Sequence, residues 1–158
     1  MNKFFLSTEN IPVTELQDAI FAEKEVKLFV KRDDLIHPYI SGNKWRKLRY
    51  NIEEMKRKDK NLLLTFGGAY SNHILATAAA GKEFGFHTIG IIRGEELQGI
   101  NPVLKKVREA GMKLHFISRE QYKLKNTMDF LNDLKKKFGN FYLVPEGGAN
   151  EFGVKGCM

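Results

Sequence analysis

Apolar and polar positions change period several times along the chain of 158 residues. EVKLFVK (25–31) alternates and is rich in Val and Phe, which predicts a strand. RDDLIHPYISGN breaks that rhythm with the turn residues Asp33, Pro38, Gly42 and Asn43, and reads as a loop. From Lys44 to about Lys58, Trp45, Leu48, Ile52 and Met55 recur at spacings of three and four, the mark of a helix with one apolar face. NLLLTF (61–66) is a short apolar run of the kind that forms a buried parallel strand. The glycine-rich turn GGAYSN follows, and HILATAAAGKEFG (73–85) predicts a helix stopped by Gly85.

The alternation then repeats. HTIGIIR (87–93) is a second buried strand, and NPVLKKVREAG (101–111) a helix with Asn101 as its N-cap and Pro102 at its first position. MKLHFIS (112–118) is a third strand, residues 119–138 carry a helical pattern closing at Gly139, and FYLVP (141–145) is a fourth strand. After PEGG, NEFGVKGCM reads as the opening of another helix. Strand starts fall roughly every 25–30 residues with helices between them, the signature of right-handed βαβ units. The expected fold class is α/β: a parallel sheet with helices on both faces. The first forty residues look like a segment attached to that domain.

Composition changes this picture little. Apolar residues make up 42% and charged residues 28%, as in a globular domain. No apolar run approaches the ~20 residues a membrane helix needs, so no membrane partner is expected. MNKFFLSTENIPVTE lacks the apolar core of a secretory signal, and the single cysteine, Cys157, offers no disulfide framework; both favour a cytoplasmic setting. The net charge of +7 raises nucleic acid as a partner. The basic residues, however, are spread over EEMKRKDK (53–60), LKKVREAGMK (104–113) and LKKKFG (134–139), without interleaved aromatics or a nucleic-acid motif. No nucleic-acid partner is expected.

Candidate chemistry lies where ligands bind in open α/β sheets, beyond the carboxyl ends of strands. SGNK, GGAYSN and PEGGAN are rich in Gly, Ser and Asn, so backbone amides and small polar groups can approach a ligand. Lys44 opens a helix, and a helix N-terminus disfavours an ammonium, which makes the amine a better nucleophile toward an aldehyde. Composition alone leaves open an ordinary surface lysine, since charged residues are mostly exposed. Ser71 and Asn72 can bind a ligand or simply cap the following helix, and the two roles are compatible if Asn72 points outward. The four histidines show no metal-ligand spacing, so no metal is expected. GxSxG, GxxxxGK[ST] and GxGxxG are all missing, which removes sequence support for a serine hydrolase, a P-loop NTPase or a dinucleotide fingerprint.

Taken in order, VKRDDLIHPYISGNKWRKLRY, TFGGAYSNH and PEGGANEFGVKG closely resemble the 1-aminocyclopropane-1-carboxylate deaminase and D-cysteine desulfhydrase family. These are pyridoxal phosphate enzymes of the tryptophan synthase β-like fold, fold type II. The resemblance implies pyridoxal 5'-phosphate as cofactor, with Lys44 forming the Schiff base and shuttling the substrate's proton. It places Asn43 close to the cofactor, Lys47 near its phosphate, and Asn72 on the 3-hydroxyl of its ring. Ser71, Asn72 and His73 would hold a small amino-acid substrate by its carboxylate, Ser71 with a catalytic role as well. It further implies that residues 44–158 form a small α/β domain, cut short at its C-terminus, and that residues 1–43 pack on a large domain. Phe4, Phe5 and Phe29 would then be sticky in isolation, and the full-length protein would be a homodimer. One departure is clear: SNHILATAA stands where the family often has SNHxRQ, which weakens any claim to a particular substrate.

Overall fold

A computed structural model describes residues 10–96 and 101–158; the expectation on Phe4 and Phe5 lies outside them. The apolar run at 61–66 becomes β3 below because both of its faces find cover. Leu63 packs with helical residues on one side of the sheet, and Leu64 and Phe66 pack with others on the opposite side. In chain order the elements are β1 Val13–Leu16, α1 Ala19–Glu23, β2 Leu28–Lys31, a 3-10 turn Asp33–Leu35, α2 Asn43–Arg57, β3 Leu62–Gly68, α3 Asn72–Phe84, β4 His87–Arg93, α4 Pro102–Glu109, β5 Lys113–Ile117, α5 Arg119–Lys123, α6 Met128–Phe138, β6 Tyr142–Val144, a 3-10 turn Glu146–Gly148 and α7 Glu151–Cys157.

The sheet runs in the order β5-β4-β3-β6, with every pairing parallel. Trp45, Leu48, Ile52 and Met55 of α2 join Ala76, Ala79, Ala80 and Phe84 of α3 over Leu63, Tyr142 and Val144. Ile74 and Ala78 of α3 meet Leu104 and Val107 of α4 beside Ile92. Tyr122 of α5 and Leu134 of α6 cover Leu64, Phe66, Ile89 and Ile91 on the other face. The expected three-layer α/β arrangement is therefore the observed one. Asn101 caps α4 through its side chain to the N–H groups of Val103 and Leu104, with Pro102 in the first position.

Two features go beyond the sequence pattern, and a third follows it. Residues 119–138 form two helices, not one. Ser118 and Gln121 build a reciprocal capping box for α5. Thr127 then takes extended backbone and bonds its hydroxyl to the Leu124 carbonyl, so the chain leaves one helix before entering the next. The first forty residues hold an antiparallel hairpin, β1 against β2, where periodicity shows only the second strand. Finally, NEFGVKGC does form a helix, with the Asn150 side chain accepting from the Gly153 N–H. That helix lies against α2 so closely that a methyl group on Gly156 would collide with the Arg46 carbonyl.

Candidate functional site

The strand order sets where a ligand fits. From β3 the chain crosses to β4 and then β5 on one side, but from β5 it crosses back to β6 on the other side of β3. The loops leaving β3 and β6 therefore diverge, which opens a crevice at their carboxyl ends. GGAYS leaves β3 and PEGG leaves β6. The N-terminus of α2 arrives at the same end, because the Glu146–Gly148 turn packs against α2, α3 and β3.

Gly42 delivers that helix start. Its φ of 54° and ψ of −138° are open only to glycine, and its N–H donates to the Asp33 carbonyl at 2.9 Å. The Asp33 carboxylate grips the Arg46 guanidinium with two hydrogen bonds, at 2.5 and 3.0 Å, and Ile40 is fully buried in the α2 core cluster. The Arg46 guanidinium holds the Asp33 carboxyl below its usual range. The turn preceding Lys44 is thus fixed from both sides. Asn43 is exposed, while Lys44 and Lys47 are partly buried and lie one turn apart on α2.

Across the crevice, Ser71 caps α3, its hydroxyl oxygen accepting from the Ile74 N–H at 3.3 Å. Asn72, the next residue, is exposed. His73 is only 2% exposed. Its Nε2 lies 2.9 Å from the Thr65 hydroxyl, which donates to the Val144 carbonyl at 2.8 Å. Burial, reinforced by the charges of Lys44 and Lys47, pushes the His73 imidazole down to about 4. The unfolded chain takes up this proton near pH 6.5, well before the native state does. Stability is therefore complete above that pH and is lost as pH falls toward about 4, by about 3 kcal/mol in all. Urea unfolding across that window is expected to show this loss, and His73→Gln to remove it.

A second polar cluster ties the crevice walls together. Asn51, fully buried on α2, exchanges two amide hydrogen bonds with Asn150, at 3.1 and 2.8 Å. It also donates to the Lys47 carbonyl at 2.7 Å and accepts from the Tyr142 hydroxyl at 3.3 Å. Gly148, at φ 70°, lets the PEGG turn pass over α2: a methyl group there would stand 3.1 Å from Lys47 Cβ and 3.7 Å from His73 Cε1. Lys47, His73 and Gly148 are thus neighbours, although 26 and 75 residues separate them along the chain.

The structure accordingly brings Lys44, Lys47 and His73 close together, with Ser71 and Asn72 directly before His73 in the chain and Asn43 exposed at the start of α2. Thr65, Asn51 and Gly148 were not singled out by sequence. Thr65 carried a usable signal: one hydroxyl inside an apolar strand needs a buried partner. The donor set suits an anionic aldehyde cofactor. It offers a primary amine, a second cation and the free N–H groups at the start of the 13-residue helix α3.

The chain is 33% identical over 141 residues to a bifunctional D-cysteine desulfhydrase/1-aminocyclopropane-1-carboxylate deaminase, mitochondrial, of Arabidopsis thaliana, covering 84% of this chain and 35% of that protein. It is 28% identical over 137 residues to a D-cysteine desulfhydrase of Klebsiella pneumoniae, covering 84% of this chain and 42% of the relative. A crystal structure of an ACC deaminase homologue superposes with a TM-score of 0.75 at 30% identity, over 96% of this chain and 46% of the other. The crystal structure of O-ureido-L-serine synthase shares the fold, with a TM-score of 0.59 at 17% identity. The chain spans less than half the length of each of these proteins. No protein-family model matches it. Among the described residues, no helix is long and apolar enough to cross a membrane.

Proposed function

We propose that this chain, a relative of 1-aminocyclopropane-1-carboxylate deaminases and D-cysteine desulfhydrases, is the lysine-bearing part of a pyridoxal phosphate enzyme. The reaction would be deamination or desulfhydration of a small amino acid with release of ammonia. One observation carries this reading: Lys44, Lys47 and the Ser71–Asn72–His73 turn, brought from separate elements, converge at the switch point of the sheet.

In this reading Lys44 binds the cofactor aldehyde, with Asn43 beside it. Lys47 neutralises phosphate charge, and Asn72 hydrogen-bonds the ring hydroxyl. The bound cofactor supplies an electron sink for the carbanion at the amino acid's α-carbon. The free N–H groups at the start of α3, with Ser71, hold the substrate carboxylate. Lys44 would move the substrate's proton, at the α-carbon of D-cysteine or at a ring carbon of 1-aminocyclopropane-1-carboxylate, whose α-carbon bears no hydrogen.

Residues 1–43 belong, in the same reading, with a large domain, and 44–158 form the small one. The hairpin supports this, because Val13 and Phe29 are 61% and 54% exposed, with Ile20, Val26 and Leu28 also uncovered. Replacing Val13 and Phe29 together by Lys is expected to shift the full chain from aggregates toward monomer on gel filtration. A sharp monomer peak from the unaltered chain would contradict this.

The function is tested by adding pyridoxal phosphate to the purified full chain, removing free cofactor and recording absorbance, then assaying ammonia release from 1-aminocyclopropane-1-carboxylate and D-cysteine. Retained colour with release of ammonia supports the proposal. The chain's short span relative to its relatives favours a second reading, an α/β portion inactive by itself. A colourless chain that releases no ammonia at saturating cofactor supports that alternative.

A further inference from the structure

The Thr65–His73 pair carries information that none of the roles above uses. A carbonyl oxygen can only accept, so the single hydroxyl proton of Thr65 is committed to Val144 O. At 2.9 Å from His73 Nε2, the same hydroxyl oxygen can then only accept. The proton of the imidazole therefore sits on Nε2, and Nδ1 is left with a bare lone pair. That Nδ1 is buried and has no hydrogen-bond partner among the described residues. Buried polar atoms are nearly always paired, so this one calls for a donor.

The surroundings specify which kind. Among the described residues, the charged groups acting on His73 are the ammonium groups of Lys44 and Lys47, both on α2, and no acidic group acts on it. With Nε2–H already engaged, the side chain has no N–H to offer a carboxylate, which leaves that task to the backbone of α3. We infer that Thr65 holds His73 as a neutral imidazole whose Nδ1 accepts a hydrogen bond from a primary amine at the switch point. The amine is carried by Lys44 or by a bound amino acid, the second source resting on the function proposed above. Thr65 is then a positioning residue, acting through His73.

The test is 15N NMR of the full chain labelled at histidine, with His73 assigned by loss of its signals in His73→Gln. At neutral pH the expected pattern is a neutral ring protonated at Nε2. Thr65→Val is expected to mix the two tautomers and Thr65→Ser to restore one, a readout that a merely structural role would not move. If Lys44 is the donor, Lys44→Met shifts the Nδ1 resonance in the ligand-free chain. If the donor is a ligand, glycine shifts it and acetate, which lacks the amine, does not. A ring protonated at Nδ1, or an Nδ1 resonance indifferent to both Lys44→Met and glycine, overturns the inference. A chain that shows the Lys44-dependent shift but never retains pyridoxal phosphate counts against the proposed function and leaves this inference standing.

Discussion

Lys44→Ala is expected to abolish the absorbance change produced by pyridoxal phosphate and to lower turnover by at least about 10²–10⁴-fold, the usual scale for losing a positioned acid-base group. Lys47 cannot take over, because it sits one turn farther along α2 with its Cβ packed beside Gly148. Lys44→Arg is expected to fail as well, since a guanidinium keeps the charge but does not condense with an aldehyde at neutral pH. The loss should be chemical and not structural. Lys44 is only partly buried, so its removal should leave the fold intact, with an unchanged circular dichroism spectrum. A further consequence separates this from general damage. Lys44 is one of the charges that hold the His73 imidazole low, so in Lys44→Ala that titration moves up. It stays below the ordinary histidine range because burial is the larger cause. Wild-type absorbance in Lys44→Ala would sink the assignment of this lysine.

Trp45→Ala is expected to cost about 3–5 kcal/mol, the range for deleting a buried large aromatic. The indole is 1% exposed and tilts against the Phe84 ring with centroids 5.6 Å apart. It fills the space between α2, α3 and the sheet beside Ile40, Leu48 and Leu63. Its Nε1 has no hydrogen-bond partner among the described residues, so truncation strands none of them and the loss is one of packing. For a domain with a typical net stability of about 5–15 kcal/mol, that is a third or more of the total. Because Trp45 is the single tryptophan, the unfolding must be followed by circular dichroism. A cost under about 1 kcal/mol would show that α2 does not depend on this contact. It would then weaken the view that the Lys44 turn is held rigidly.

Several elements were legible from local chemistry. The two-sided apolar runs LLLTF and TIGII, the Asn101–Pro102 cap and the Gly85 stop are each decided within a few residues, and each stands in the structure as read. The 124–127 break was not legible, because the helical period continues on both sides of it while the backbone leaves the helix at Leu124 and turns extended at Thr127. Nor was the first strand of the hairpin, VTEL, whose four residues all remain exposed and so carry no burial pattern. At the site, the glycine-rich loops announced themselves. The Asn51–Asn150 amide pair did not, since its members are 99 residues apart and each alone reads as an ordinary polar residue.

By itself the sequence determined the βαβ rhythm, the helix that begins beside Lys44 and the presence of three loops fit to meet a ligand. These depend on periodicity, capping and glycine chemistry, all of which act over one or two turns of chain. Only the tertiary structure decided that β6 crosses back to pair with β3. That crossing is what brings the PEGG turn over Lys47 and supplies the Val144 carbonyl that accepts from the Thr65 hydroxyl beside the His73 imidazole. Strand order rests on contacts between residues up to about eighty positions apart, which no local pattern encodes. The protonation form of a buried imidazole depends on the partners those contacts supply.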